Sequence, residues 1–205
     1  MELREAIQRR RMVRRFDSDR PVPCDALSRI ASLAVRAPSA GFSQGWDFVV
    51  LRDAGDRSAY WSATTGPNGT SDAWLRGVSS APVLILCCSD KGRYLDRYAQ
   101  PDKGWSDRSE ERWPVPYWDV DTGMAAMLML LGAVDEGLSG LFFGTPADRM
   151  TAVRDRFGIP GGHHLVGVIA LGYAAEDRRS GSTRTRSRRP LAEVFHDGRY
   201  GTPLT

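Results

Sequence analysis

Four short apolar runs set the terms on which this chain can fold: "WDFVVLR" (46–52), "APVLILCCS" (81–89), "GLFFG" (140–144) and "HLVGVIALGY" (164–173). Runs of this length suit strands better than buried helices, and the unbroken apolar character of 46–52 and 81–89 suits strands covered on both faces. Helical patterns lie around them. Residues 2–10 put Leu3, Ala6 and Ile7 on neighbouring faces. Leu27, Ile30, Ala31 and Ala34 make an apolar stripe that Pro23 and Asp25 introduce and Pro38 ends. Short helices are expected around Trp61 and Trp74, with a Gly-Pro-Asn-Gly turn at 66–69 between them. Residues 119–137 read as a helix that is apolar nearly all round and stops at Gly137; residues 146–158 read as an amphipathic one. Helices interleaved with strands predict an α+β or α/β layer fold.

The 205 residues suffice for one domain with a real core, spanning 1–205. Two stretches stand apart from the layers. Residues 91–118 scatter Tyr94, Tyr98, Trp105, Trp113, Tyr117 and Trp118 among charges, prolines and glycines. They predict an irregular excursion with short helical pieces, serving either as a lid or as the aromatic core of an interface. Residues 174–205 form a tail whose Leu191, Val194 and Phe195 need a surface to cover, and a partner subunit is a natural one.

Composition removes several classes of function. The chain is 41% hydrophobic and 26% charged, and no apolar run approaches the ~18–20 residues that span a bilayer. Its first residues carry charge where a secretion signal needs an apolar segment. Three cysteines without a disulfide framework suit a reducing, cytoplasmic setting. A net charge of +3 is too small for a general polyanion binder, and Asp17, Asp19, Glu176 and Asp177 interrupt both basic runs, so no nucleic-acid face is expected. There is no Gly-x-Gly-x-x-Gly after a strand, no Walker A loop and no Gly-x-Ser-x-Gly elbow. His163 and His164 are adjacent and diverge on any regular element, and Cys87 and Cys88 lack Cys-x-x-Cys spacing; no metal centre is expected.

Three features carry chemistry together. "RRRMVRRF" (9–16) sets Arg10 and Arg14 four apart, able to converge on one anion. "APSAGFSQGW" (37–46) is a long stretch of small residues leading straight into a strand; such residues let a planar ligand approach backbone N–H and C=O groups. "RTRSRRPLAEV" (184–194) is a second basic cluster beside apolar residues. Alone, each reads equally as a solvated basic face, a surface loop or a basic tail.

In order and spacing, "RRRMVRRF", "APSAGFSQGWDFVV", "DTGMAAMLMLLGAVDEGLSGLFFG" and "RRPLAEVFHDGRYG" resemble the landmarks of the nitroreductase family of flavin enzymes. The resemblance implies an α+β fold in three α-β-α layers. Its central sheet is mostly antiparallel, its C-terminal tail is domain-swapped, and two copies pair as a homodimer with FMN bound between them. It implies that Arg10, Arg11 and Arg14 hold the FMN phosphate and pyrimidine edge. Arg186 and Arg188, with Arg189 as an extra, complete the phosphate site. It implies that Pro38, Ser39 and Ala40 lie against the flavin of the other subunit, and that Phe142, Phe143 and Gly144 flank the ring and offer an N–H to flavin N5. Met12 stands where the family usually has serine, Phe42 where asparagine is common and Gly45 where proline is. Phe42 removes a polar contact and makes the pocket more apolar. The activity implied is hydride transfer from NAD(P)H through FMN to an electron-poor small molecule (a nitroaromatic, quinone or enone) in ping-pong order, with no side chain needed as acid or base. The rival readings are a flavin-sequestering or redox-sensing protein without turnover, and a variant of the fold that uses flavin or a deazaflavin for another reaction.

Overall fold

The computed structural model describes residues 1–65, 72–175 and 185–204, so the turn expected at 66–69 and Arg184 of the second cluster lie outside the described residues. The chain forms two compact units, Met1–Ala175 and Glu176–Thr205.

In the first unit the order is α1 (Leu3–Arg9), α2 (Cys24–Ala34), β1 (Trp46–Leu51), α3 (Ala54–Thr65), α4 (Ala73–Val78), β2 (Val83–Asp90), α5 (Lys91–Tyr98), α6 (Tyr117–Asp135), β3 (Ser139–Phe143), α7 (Met150–Phe157) and β4 (His163–Gly172). The strands form one sheet in the order β1-β2-β4-β3, antiparallel throughout, which resolves the open fold class to α+β. Alternation along β2 divides the core. Val83, Ile85 and Cys87 face Leu27 and Ile30 of α2 and Ala125, Met129 and Ala133 of α6; Leu84, Leu86 and Cys88 face Tyr60 of α3, Val78 of α4 and Val153 of α7. Helices therefore cover both faces of the sheet. Burial pushes both thiols up, Cys88 to about 11, so neither is a thiolate near neutral pH.

Two expectations gain detail from the structure. Residues 46–52 read as a strand covered on both faces, and β1 is: Trp46 and Phe48 pack on the α2 and α6 side, Val49 and Leu51 on the α3 and α7 side. It is nonetheless an edge strand, with Asp47 and Val50 exposed. An apolar run shows that a strand is buried somewhere; it does not separate a central strand from an edge. Residues 91–118 hold the short helical pieces expected of them: α5 and the single turns Pro101–Lys103 and Glu110–Arg112. Asp90 caps α5 by accepting the Gly92 N–H at 2.8 Å, and Trp113 packs among Tyr94, Tyr98, Trp105, Tyr117 and Trp118 at centroid distances of 4.7–6.1 Å.

Helix α6 is apolar nearly all round, as expected, but one stripe is uncovered by this unit: Tyr117, Val120, Met124 and Met127 remain 36–43% exposed. Spacings of three and four put them on a single face.

The second unit is small. Leu191–Glu193 makes one helical turn, Arg189 Nε meets Glu193 Oε2 at 3.4 Å, and His196 pairs with Pro203 in an antiparallel bridge. Leu191, Val194, Phe195 and Tyr200 are exposed within it, as are Arg186 and Arg188.

Candidate active site

The basic segment that follows α1 is stitched into the first unit beside β3. Met12 bridges Gly140 and the Val13 N–H donates to the Gly140 carbonyl at 3.1 Å, while Ser80 Oγ accepts the Phe16 N–H at 2.9 Å. Val13 and Phe16 are buried, which anchors the backbone and leaves Arg10 and Arg14 half-buried between anchors. Gly77 of α4 makes this approach possible, since a Cβ there would fall 2.3 Å from the Arg14 carbonyl oxygen. Arg14 Nη1 donates to the Met12 carbonyl at 3.1 Å. Arg10 Nη1 is buried with no acceptor among the described residues. A buried guanidinium N–H without a partner costs ~1–3 kcal/mol or more, so it points to an anion that completes it. Arg11 is exposed.

The end of β3 adds an aromatic wall. Phe142 covers Gly167 on the opposing strand, and a Cβ at Gly167 would fall 2.3 Å from its ring. Phe143 points to the other face, stacked on Trp61 at 5.8 Å and 9° and met edge-on by Trp74 at 5.6 Å. Gly144 is exposed at the mouth of a cavity of about 200 Å³ lined by Tyr60, Trp61, Trp74, Phe143, Gly144 and Pro146. The Tyr60 hydroxyl bonds Thr145 Oγ1 at 3.1 Å, and burial pushes it up to about 12.

The small-residue loop lies elsewhere. It runs into β1, and β1 and β3 are opposite edges of the four-stranded sheet. Three inter-strand spacings put those edges roughly 14 Å apart. Arg10, Arg11, Met12 and Arg14 are thus gathered beside the strand of Phe142 and Phe143, while Pro38, Ser39, Ala40 and Phe42 belong to the other side. The loop is not slack. Ala40 N–H donates to Asp121 Oδ2 at 2.9 Å, Gln44 N–H to Ser39 Oγ at 3.0 Å and Arg97 Nε to the Gly41 carbonyl at 2.9 Å. Phe42 is 75% exposed at φ +57°. The expected site residues therefore fall into two groups, at opposite edges of the sheet.

The two histidines diverge as expected. His163 Nε2 reaches Asp47 Oδ2 and His164 Nδ1 reaches Asp119 Oδ2, both at 3.2 Å. The fold also brings Asp90 to His163, a grouping of Asp47, Asp90 and His163 that spacing along the chain gave no reason to expect. Asp90 Oδ1 already caps α5 and Asp47 is exposed.

Comparison with known proteins decides the lineage. The model of the nitroreductase family matches residues 7–173. The chain belongs to the nitroreductase family. A Methanothermobacter thermautotrophicus protein with the provisional name NADH dehydrogenase/NAD(P)H nitroreductase is 30% identical over 181 residues, 86% of this chain and 80% of that protein. A Thermus thermophilus NADH dehydrogenase is 28% identical over 195 residues, covering 86% and 89% of the two chains. Among solved structures, a provisional nitroreductase of Desulfovibrio desulfuricans in complex with FMN superposes with a TM-score of 0.71 at 24% identity, covering 95% of each chain.

Within this family fold, the residues that sequence reasoning missed are those that hold the loop: Asp121, Tyr94 and Arg97. Asp121 did carry a signal, being a carboxylate inside an otherwise apolar helix, where a buried charge demands hydrogen-bonding partners.

Proposed function

We propose that the protein is an FMN-dependent oxidoreductase that acts as a homodimer and passes electrons from NAD(P)H to an electron-poor organic acceptor in ping-pong order. The buried Nη1 of Arg10, without a partner among the described residues and set in an arginine-rich segment that pairs with β3, carries the reading. It fits FMN, whose phosphate is near a dianion and whose ring suits an aromatic wall with an exposed glycine at its mouth. Charge-assisted bonds of this kind contribute about 1.5–3 kcal/mol each. Bound FMN supplies the two-electron carrier that the side chains of this chain lack.

Arg10 and Arg14 hold the phosphate and pyrimidine edge, and Arg186 and Arg188 of the tail complete the phosphate contacts. The backbone of Phe142, Phe143 and Gly144 lines one side of the ring, with the Gly144 N–H directed at flavin N5. Pro38, Ser39, Ala40 and Phe42 come from the second copy. The position of the two groups at opposite sheet edges supports that division, since a second copy can bring the loop of one chain onto the arginines of the other. The exposed α6 stripe of Tyr117, Val120, Met124 and Met127 gives the second copy an apolar face to cover. The provisional names of the archaeal relative and of the Desulfovibrio protein support the same chemistry.

The purified protein should be yellow or become so with FMN, sediment as a dimer, and oxidise NADH or NADPH with quinones or nitroaromatics. A colourless protein that takes up no added FMN overturns the proposal. Flavin that bleaches with NAD(P)H but never turns over would indicate a sensor.

A further inference from the structure

Asp121 is a buried carboxylate, 3% exposed, near the start of α6. Two donors converge on its Oδ2: the Ala40 N–H at 2.9 Å and the Tyr94 hydroxyl at 2.8 Å. Tyr94 is fully buried, and burial first and Asp121 second push its pKa well up, so the hydroxyl stays a donor. Its ring lies so close to Gly45 that a Cβ there would fall 2.4 Å away. One carboxylate thus ties α6 and α5 to the loop between α2 and β1.

A second tether holds the loop tip. Arg97 donates through Nε to the Gly41 carbonyl and forks onto Asp102 through Nη1 and Nη2, at 2.7 Å each. At and just beyond the second tether the backbone turns left-handed at Gly41 (φ +61°), Phe42 (φ +57°) and Gln44 (φ +50°). For a phenylalanine and a glutamine that conformation is strained, and it persists only where the surroundings over-determine it. Within its own unit Gly41 lies against Tyr98, but the Phe42 ring beside it stands in solvent.

We propose that Asp121 and Arg97 are positioning residues that preset the backbone of residues 39–44 for contact with FMN in a second copy's site before FMN arrives. The inference rests on the FMN reading above. A preset loop gives up little conformational freedom on binding, and a loosened one must be ordered at the expense of affinity. The geometry also fixes which substitution is tolerated. Both donors use Oδ2, so the carbonyl oxygen of an asparagine can accept both, whereas alanine accepts neither.

FMN titration of cofactor-stripped protein, followed by flavin fluorescence, tests this on the wild type and on Asp121→Ala, Asp121→Asn and Arg97→Ala, with circular dichroism and sedimentation as controls. Asp121→Ala and Arg97→Ala should each weaken FMN binding about tenfold or more, and Asp121→Asn should stay within about threefold of wild type. Arg97 is partly exposed, so its variant keeps the test sound should Asp121→Ala fail to fold. The positioning role is overturned, with the FMN reading intact, if wild type and folded Arg97→Ala bind FMN equally. It is equally overturned if Asp121→Asn binds as poorly as Asp121→Ala. If wild type takes up no FMN, the FMN reading fails and the positioning role with it.

Discussion

Arg10 and Arg14 sit on either side of Met12 but differ in what they lack. Arg14 has a carbonyl partner, while Arg10 keeps one buried nitrogen without an acceptor among the described residues. Arg10→Ala should therefore lower FMN affinity about ten- to a hundredfold, measured by fluorescence titration, with little change in thermal stability. Tyr60 makes a different kind of prediction. Burial raises its pKa to about 12 from the 10.0 of an ordinary tyrosine, and Tyr94 is raised in the same sense. A group raised in the folded state contributes stability that is intact below its unfolded pKa and lost as pH climbs through the folded value. Unfolding free energy should thus fall from pH 10 upward, and Tyr60→Phe should flatten that fall. Urea titrations near about pH 9 and about pH 11 would measure it.

At the scale of elements, contact between backbones decides where the basic segment lies. Gly77→Ala would drive a Cβ against the Arg14 carbonyl, and it should cost about 1–3 kcal/mol while weakening FMN binding as the segment shifts. Gly161→Ala meets nothing within 4 Å and serves as the neutral control in thermal melts. The helices and strands themselves were largely legible. The apolar stripe of α2, the all-round apolar run of α6 and the four strand runs each reflect burial, which periodicity records directly. Boundaries moved where a cap decided them: α6 begins at Tyr117, behind Pro116, two residues before the expected Asp119. The order of strands was not legible. Whether β1 ends up central or at an edge depends on pairing across the whole chain, and so does the meeting of Ala40 with Asp121, 81 residues apart.

For the whole molecule, the exposed stripe on α6 is the feature that a single unit leaves unexplained. Met124→Glu or Met127→Glu would put a charge into the proposed subunit contact. Either should shift sedimentation toward the monomer and release FMN, leaving the far-UV circular dichroism spectrum unchanged. The candidate site was legible in kind and not in arrangement. Arginine-rich and small-residue segments announce an anion and a flat ligand, but only the sheet order separates them into halves. The tail cluster at Arg186 and Arg188 belongs to the second compact unit, and its place in the site stands as part of the proposal.

In the proposed dimer, the placement of the two residue groups on opposite edges of the sheet has a genetic consequence. A chain weakened at Arg10 and a chain weakened at Asp121 should each hold FMN poorly with themselves, yet their defects fall in different halves. Co-expressed, they should form hybrids in which one of the two clefts draws both of its walls from undamaged surfaces. Random pairing would restore roughly one cleft in four. Two weak alleles would complement each other.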